Sequence, residues 1–192
     1  MERIDLARDV HFYTNTTIDT LDYSGDGLNS GSKVVIAAAG DKQRELWNKI
    51  PEGLKLSDGF YQPKIAIPGV LVLGSDKYLN PEKTAAEIAL LNMALMDQDL
   101  SGLPLIILAD DAEFTAANID NLVWVAFTRS NPAADIYGIN DFTINKHWGC
   151  KGSLIIDARK KPHHAPELIK DEVVEKRLDV LAQAGGSLHG II

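Results

Sequence analysis

The residue types best suited to chemistry are concentrated in one short stretch, HWGCKGSLIIDARKKPHHAP, at residues 147–166. It holds three histidines, the single cysteine of the chain and a tryptophan around a short apolar run. Imidazole and thiolate groups can bind a metal or act in acid–base and nucleophilic catalysis. The stretch could therefore be an active site, a metal site, or the rim of a domain that serves another part of a protein.

The spacing of the possible ligands does not favour a metal site. His147 and Cys150 are separated by two residues, but His163 and His164 are adjacent, and adjacent histidines seldom both reach one tetrahedral metal. No thiol-nucleophile signature surrounds Cys150, so a buried and unreactive thiol is favoured. Prolines flank the two histidines, which predicts an extended loop with one or both rings exposed. We expect no metal ligand and no catalytic residue in this stretch.

The same stretch is locally basic within an acidic chain. From Lys151 to Lys161 four cations stand against one anion, Asp157, whereas the net charge of the whole chain is −8. A basic loop at the end of a strand can receive a carboxylate, a phosphate or an acidic neighbouring domain, and a solvated charged loop is the alternative. The residues that could line a cleft are His147, Trp148, Lys151, Arg159, Lys160 and Lys161.

Asp110 and Asp111 form a second candidate site, because they directly follow the apolar run LPLIILA. Open α/β sheets bind ligands beyond the carboxyl ends of their strands, where paired carboxylates can bind a metal or act as acid and base. Together with His147 they would make the chain a self-sufficient small hydrolase. A carboxylate at this position also caps the following helix by accepting from its first N–H groups, and this structural role is favoured.

Apolar runs that alternate with helical patterns indicate the architecture. The predicted strands are residues 33–40, 64–75 (split at Pro68-Gly69), 103–111, 135–140 and 153–158. The predicted helices are residues 41–50, a helix after the capping Asn80, Thr115–Ser130, and residues 170–186. This order predicts a three-layer α/β/α domain with a mostly parallel sheet over residues 33–192. Residues 1–32 do not fit the repeat and are predicted to form an irregular segment of edge strand and loops.

Side chains on two of these helices have specific predicted positions. In the helix Thr115–Ser130, the buried side is predicted to contain Leu122, Val123, Ala126 and Phe127. In the last helix, the apolar stripe consists of Val173, Val174, Leu178 and Leu181. Arg129 is predicted to tie the end of its helix to the following turn through Asp135. With Asp110 and Asp157, these two residues are predicted to be structural.

Composition excludes several classes of protein. A net charge of −8 argues against binding to the phosphate backbone of nucleic acids, which requires a basic face. No apolar run reaches the ~20 residues of a membrane-spanning helix, and MERIDLARDV has no signal-peptide core. A single cysteine excludes an internal disulfide. We therefore expect a cytoplasmic chain that binds neither nucleic acid nor membranes.

Three runs resemble the C-terminal domain of the UbiD family of prenylated-flavin decarboxylases, namely LPLIILADD, NLVWVAFTRSNPAADIYG and GSLIIDARKK. The positions that match the family pattern are Asp110, Asp111, Val123, Trp124, Thr128, Arg129, Pro132, Asp135, Asp157, Ala158, Lys160 and Lys161. The resemblance covers most of the chain and is most specific over residues 103–161. Three positions depart from the pattern: Ser153 stands in place of a lysine, Ile155 in place of a glycine and Arg159 in place of a threonine.

The resemblance implies a role within a larger enzyme. The family decarboxylates aromatic or α,β-unsaturated acids with prenylated FMN, a divalent metal, potassium and a Glu-Arg-Glu set, all in a preceding domain that this chain does not match. It thus implies an assembly and cleft-capping domain that binds no cofactor by itself, forms homo-oligomers and works with a catalytic domain in the same or another chain. By itself the chain is not expected to be active. The alternatives are the small hydrolase and a pure interaction module.

Overall fold

A computed structural model of the chain describes residues 1–18, 27–165 and 171–191. The strands are β1 Val10–Thr16, β2 Gly31–Ile36, β3 Phe60–Ile67, β4 Val70–Ser75, β5 Leu105–Ala109, β6 Ile136–Gly138, β7 Asp141–Ile144, β8 His147–Cys150 and β9 Leu154–Asp157. The helices are α1 Pro81–Leu95, α2 Ala112–Ala116, α3 Ile119–Thr128, α4 Pro132–Asp135 and α5 Glu172–Ala182. A five-stranded sheet in the order β3-β4-β5-β9-β6 forms the centre, and β1–β2 and β7–β8 form two further pairs.

The central strands β4, β5 and β9 run parallel, and the edge strands β3 and β6 pair with them antiparallel. Side chains along β5 alternate between two apolar clusters. Ile106 and Leu108 pack on the side of α1, while Ile107 and Ala109 pack on the side of α3. Because both faces of β5 are buried, its sequence is a continuous apolar run instead of an alternating one. The predicted α/β class with a parallel core is confirmed.

The predicted split between Pro68 and Gly69 is confirmed as the turn of the β3–β4 hairpin. Gly69 has a φ of 84°, a backbone conformation that L side chains rarely adopt. The helix predicted after Asn80 is also confirmed. The Asn80 side chain accepts from the backbone N–H of Lys83 at 2.8 Å, and Pro81 occupies the first helical position.

The prediction of one helix from Thr115 to Ser130 is wrong, because the chain forms α2 and α3 with a break between them. Asn118 stands at the break and caps α3 by accepting from the backbone N–H of Asn121 at 2.9 Å. The Asn121 amide in turn donates to the carbonyl of Phe114 at 2.9 Å. These side-chain bonds satisfy backbone groups that a continuous helix would pair internally.

The break also changes which side of the helix is buried. Leu122 and Ala126 are buried as predicted, together with Val125. Val123 and Phe127 are exposed, so their predicted burial is wrong. The side of α3 that faces the sheet is therefore the side of Leu122, Val125 and Ala126.

Residues 41–50 do not form the predicted helix. Instead, the backbone N–H of Trp47 donates to the Gly102 carbonyl at 2.9 Å, and the Trp47 carbonyl accepts from Gly69 N–H at 2.9 Å. The Trp47 side chain packs against the apolar cluster on the α1 side. Because these long-range bonds occupy the backbone groups that a helix would use, the segment covers the sheet without helical structure.

The N-terminal segment contains a strand, β1, but this strand belongs to a separate two-stranded sheet and does not lie at the edge of the central sheet. β1 pairs antiparallel with β2, and Leu6 and Val10 are buried with Cys150 and Leu154 in a third apolar cluster. The backbone N–H of Cys150 donates to the Leu6 carbonyl at 3.1 Å. Residues 19–26, which belong to the loops predicted for residues 1–32, lie outside the described residues. None of the helices that the structure describes is long and apolar enough to cross a membrane.

The last helix, α5, is confirmed, with Asp171 as its N-cap. None of its side chains is buried. The apolar stripe of this helix is exposed to solvent; it consists of Val173, Val174, Leu178 and Leu181.

We predict that Gly149→Ala weakens the attachment of the N-terminal segment. A Cβ atom at Gly149 would lie 2.7 Å from the carbonyl oxygen and 2.9 Å from the Cα of Ala7, and backbone atoms cannot move aside as a side chain can. We expect a loss of ~1–3 kcal/mol in unfolding free energy, measured by chemical denaturation. Gly40→Ala is the control, since nothing lies within 4 Å of a Cβ at Gly40. Equal stability of the two variants would contradict the close approach.

Candidate functional site

Charged and polar side chains collect at the carboxyl end of the parallel strands, where open α/β sheets bind ligands. β9 ends at Asp157 and leads directly to Arg159 and Lys161, while β5 leads to Asp110. Asp157, Arg159 and Lys161 are buried, and Asp110 is half-buried. We call Asp157, Arg159, Lys161, Asp135, Glu87 and Thr84 the ion network, because hydrogen bonds and ion pairs join them.

Arg159 is the centre of the ion network and is completely buried. Its Nε and Nη2 donate to the two carboxylate oxygens of Asp157, both at 2.9 Å. Nη1 donates to Glu87 at 2.8 Å and to the Asp76 carbonyl at 3.1 Å, and Nη2 also donates to the Thr84 hydroxyl at 3.1 Å. A guanidinium has five N–H donors, so every donor of Arg159 has a partner.

The pKa of Arg159 reflects these contacts. Burial by itself would lower the pKa of Arg159, but the hydrogen bonds and charges of Asp157 and Glu87 outweigh it and raise the pKa. Arg159 therefore stays charged and bound to its partners. A cation held in this way cannot act as a proton donor or reach out to a substrate.

Lys161 extends the network toward α3 and α4. Its Nζ donates to the carbonyls of Asp157 at 2.8 Å and Arg129 at 3.1 Å, and lies 3.3 Å from the Asp135 carboxylate. Asp135 also accepts from the backbone N–H of Asn131 at 2.6 Å. Burial raises the pKa of Asp135 above its ordinary value, although the Lys161 ammonium opposes the change.

The sequence predicted a contact between Arg129 and Asp135, and this prediction is wrong. Arg129 lies 3.4 Å from the Asp110 carboxylate instead. Asp110 also accepts from the backbone N–H of Lys160 at 2.8 Å, so it joins the ends of β5, α3 and β9. Asp135 binds Lys161 instead because α4 turns the chain back toward the buried end of β9. The predicted cap is confirmed: the Asp111 side chain accepts from the backbone N–H of Phe114 at 2.9 Å.

The rim of this end is aromatic and histidine-rich. The Tyr78 ring lies 5.9 Å from the Arg159 guanidinium and 5.5 Å from Lys161 Nζ. His163 is exposed, and His164 is half-buried and accepts from the backbone N–H of Lys161 at 3.0 Å. Burial, followed by the charges of neighbouring cations, lowers the pKa of His164 to about 4.

The first residues of the stretch 147–166 lie at the other end of β9. His147 Nε2 lies 3.2 Å from the Ala7 carbonyl, and Trp148 Nε1 donates to Asp141 at 3.1 Å. Burial, with a smaller effect of Asp141, raises the pKa of Cys150 to about 12, which agrees with the predicted inert thiol. His147 thus precedes β9, whereas Asp110 and Asp111 follow β5, and the structure does not assemble them into the hydrolase site.

The six residues predicted to line a cleft are therefore divided between two places. Lys151 lines a cavity of ≈ 390 Å³ at the amino end of the strands, whose wall also includes Arg44, Leu95 and Ser153. Arg159 and Lys161 are enclosed in the ion network, and Lys160 is half-exposed beside it. Among residues 1–18, 27–165 and 171–191, no group of three or more His, Cys, Asp or Glu side chains could hold a metal ion.

Sequence reasoning missed the two residues of α1 in the network. Thr84 and Glu87 lie one turn apart on the same side of the helix, next to the buried Ile88 and Leu91. Polar residues beside the buried stripe of a helix indicate a buried polar partner, because an unpaired one would be costly. That signal was available in the sequence, but it does not identify Arg159 as the partner.

Known proteins match this chain in two ways. The family model for the 3-octaprenyl-4-hydroxybenzoate carboxy-lyase C-terminal domain matches residues 1–38, which contain β1 and β2. A protein of Chlamydia pneumoniae that is named as a subunit of 4-hydroxybenzoate decarboxylase is 30% identical over 180 residues. Those residues are 93% of this chain and 29% of that protein.

Two chlamydial proteins that carry only the name uncharacterized protein are similar to the same extent. The protein of Chlamydia trachomatis serovar D is 29% identical over 175 residues, and that of Chlamydia caviae is 28% identical over 178 residues. These matches cover 91% and 93% of this chain, but 28% and 29% of the relatives. The chain spans less than a third of the length of the curated relatives it matches.

We predict that Arg159→Met destabilises the fold strongly. The change leaves the Asp157 carboxylate buried without its partner, which typically costs ~3–5 kcal/mol. Adding Asp157→Asn should recover part of the loss, because it removes the unpaired charge. Chemical denaturation of both variants measures this, with Lys77→Met as an exposed neighbouring control that should cost less than ~1 kcal/mol. A small effect of Arg159→Met would show that the network contributes little.

His164 should make stability depend on pH. The folded state keeps this imidazole neutral down to about pH 4, whereas the unfolded chain protonates it near its ordinary value of 6.5. The unfolded state therefore binds more protons between these values, and stability falls as the pH falls through that window.

His164→Asn should reduce this fall, since an amide oxygen can still accept from Lys161 N–H but does not titrate. Denaturation midpoints at pH 7, 6 and 5 measure the slope, and His189→Asn is the control at an exposed histidine elsewhere in the chain. If His164→Asn keeps the slope of the unmodified chain, the imidazole is not held neutral.

Proposed function

We infer that this chain is a C-terminal domain of the UbiD family of carboxy-lyases, and we propose that it joins subunits and closes the substrate cleft of such an enzyme. The observation that carries the proposal is the saturated ion network. At the end of the sheet where α/β enzymes place their reactive groups, Arg159 and Lys161 are bound by carboxylates and carbonyls. Because these cations are already bound, this end of the sheet is better suited to form a rigid wall than to act as an acid–base site.

The cofactor of the full family enzymes is prenylated FMN with a divalent metal and potassium. The donor set of this chain does not fit that group. Within the described residues no three metal-binding side chains come together, and the buried cations that could meet a phosphate are already occupied by Asp157, Glu87 and Asp135. We propose that a separate catalytic part, in the same or another polypeptide, binds the flavin.

The substrate class proposed here is that of aromatic or α,β-unsaturated carboxylic acids. The name of the Chlamydia pneumoniae relative refers to 4-hydroxybenzoate, so this acid is the first to test. The half-exposed Lys160 and the exposed His163 are the groups at this end of the sheet that could form the wall of the cleft.

We also propose that copies of the chain associate with one another and that the protein works in the cytoplasm. Its single thiol, Cys150, is free and buried, which fits a reducing compartment.

We predict that the purified chain alone is colourless and has no decarboxylase activity. Co-expressed with the flavin-binding part of a UbiD-like enzyme from its own genome, it should co-purify with that part and raise the rate of 4-hydroxybenzoate decarboxylation. Absorption spectra and carbon dioxide release measure the two results. A flavin spectrum in the isolated chain would contradict the proposal, and so would full activity of the catalytic part without it.

A matched variant separates binding from folding in this experiment. Lys160→Glu reverses a charge on the proposed wall, and it should reduce the stimulated rate; the melting temperature of the variant is measured alongside, so that a loss of stability is recognised separately. Lys55→Glu is the control, because the Lys55 backbone bonds to Gln98, which lies at the amino end of the strands. If the two variants stimulate equally, Lys160 is not part of the wall.

A further inference from the structure

The outer face of α3 carries an exposed apolar surface. Four large apolar side chains share it, with Phe127 71% and Trp124 54% exposed. We call this set the α3 face; it consists of Ile119, Val123, Trp124 and Phe127. The opposite side of the helix is buried against the sheet through Leu122 and Val125, so α3 is apolar on both sides. A helix that is apolar all round is normally buried all round, which indicates that something covers the α3 face.

The same chain carries a second uncovered apolar helix. α5 has no buried residue, and its stripe of Val173, Val174, Leu178 and Leu181 is exposed. We call this stripe the α5 face. Both faces are longer than a single helical turn, so each can lie along another helix.

One charge lies inside each face, and the two charges are opposite. Asp120 precedes Val123, Trp124 and Phe127 by three, four and seven positions, so it lies on their side of α3. Arg177 follows Val173 and Val174 by four and three positions and precedes Leu181 by four, so it lies within the α5 face. Both side chains are exposed, and neither has an opposite charge as a partner among the described residues.

We propose that the α3 face of one copy of this chain packs against the α5 face of a second copy, with Asp120 paired to Arg177. The proposal rests on the association of copies proposed above and names its surfaces. One chain supplies both halves of a complementary contact, so a twofold axis repeats it and closes the dimer with two equivalent helix pairs. Exposed Trp and Phe beside an arginine are the residue types that dominate such interfaces.

The charges also determine which partners can combine. Pairing Asp120 with Arg177 inside an apolar contact removes both from water, and a like pair in the same place would be strongly unfavourable. A reciprocal dimer contains this pair twice. Reversing either charge alone therefore places like charges at both contacts of a homodimer.

Size exclusion with light scattering tests the contact on the full chain. The unmodified protein should have a mass of about twice 21.0 kDa at tens of micromolar. Asp120→Arg and Arg177→Asp should each raise the dissociation constant by at least about tenfold. An equimolar mixture of the two variants should regain the dimer, because the heterodimer has an opposite-charge pair at both contacts, whereas the homodimer of either variant has like charges at both.

Two charge reversals outside the faces are the controls. The first is Asp97→Arg, because Asp97 lies beyond the end of α1. The second is Lys176→Asp, because Lys176 lies beside the α5 face but outside it. Both should keep the mass of the unmodified dimer. Phe127→Gln tests the apolar part of the contact independently of the charges; it changes a side chain that is 71% exposed and should also weaken the dimer.

The possible failures are distinguishable. A mass near 21.0 kDa for the unmodified chain would remove both the association and the contact. A dimer that none of the three face variants weakens would retain the association and overturn the contact between α3 and α5. The double variant Asp120→Arg/Arg177→Asp restores an opposite-charge pair at both contacts and should regain the dimer; if it stays as weak as the single variants, the pairing of these two charges is overturned.

Discussion

The fold depends on keeping a buried guanidinium fully paired. Arg159 has no exposed surface, and its partners come from three separate parts of the chain: Asp157 at the end of β9, Glu87 and Thr84 on α1, and the carbonyl of Asp76 after β4. Removing any partner leaves a charge or donor in a site that water does not reach. The network therefore sets where α1 lies against the sheet, and Lys161 does the same for α3 and α4.

The ion network and the exposed apolar surfaces of α3 and α5 lie in different parts of the domain. The polar groups at the carboxyl end of the sheet are used to join elements, so little is left there for binding. The apolar groups of α3 and α5 are left uncovered on the outside.

Much of this architecture follows from the sequence. Both faces of β5 are buried, so its residues form an unbroken apolar run, and Asn80 and Pro81 mark a helix start whatever the tertiary context. Residues 41–50 have a helical pattern, but Trp47 bonds to Gly69 and Gly102, and that competition is long-range. The same holds for Arg129, because its partner Asp110 is set by how the end of β5 lies beside α3 and β9. The family model matches residues 1–38, outside the runs that carried the resemblance, so different parts of the chain hold the family's pattern.

The contact between the N-terminal segment and β8 has a consequence for biosynthesis. Leu6 and Val10 are buried in a cluster that includes Cys150 and Leu154, which the ribosome adds much later. Their burial closes one of the longest loops in the domain, and such contacts form late and slowly. The domain can complete its third cluster only after β9 has emerged from the ribosome.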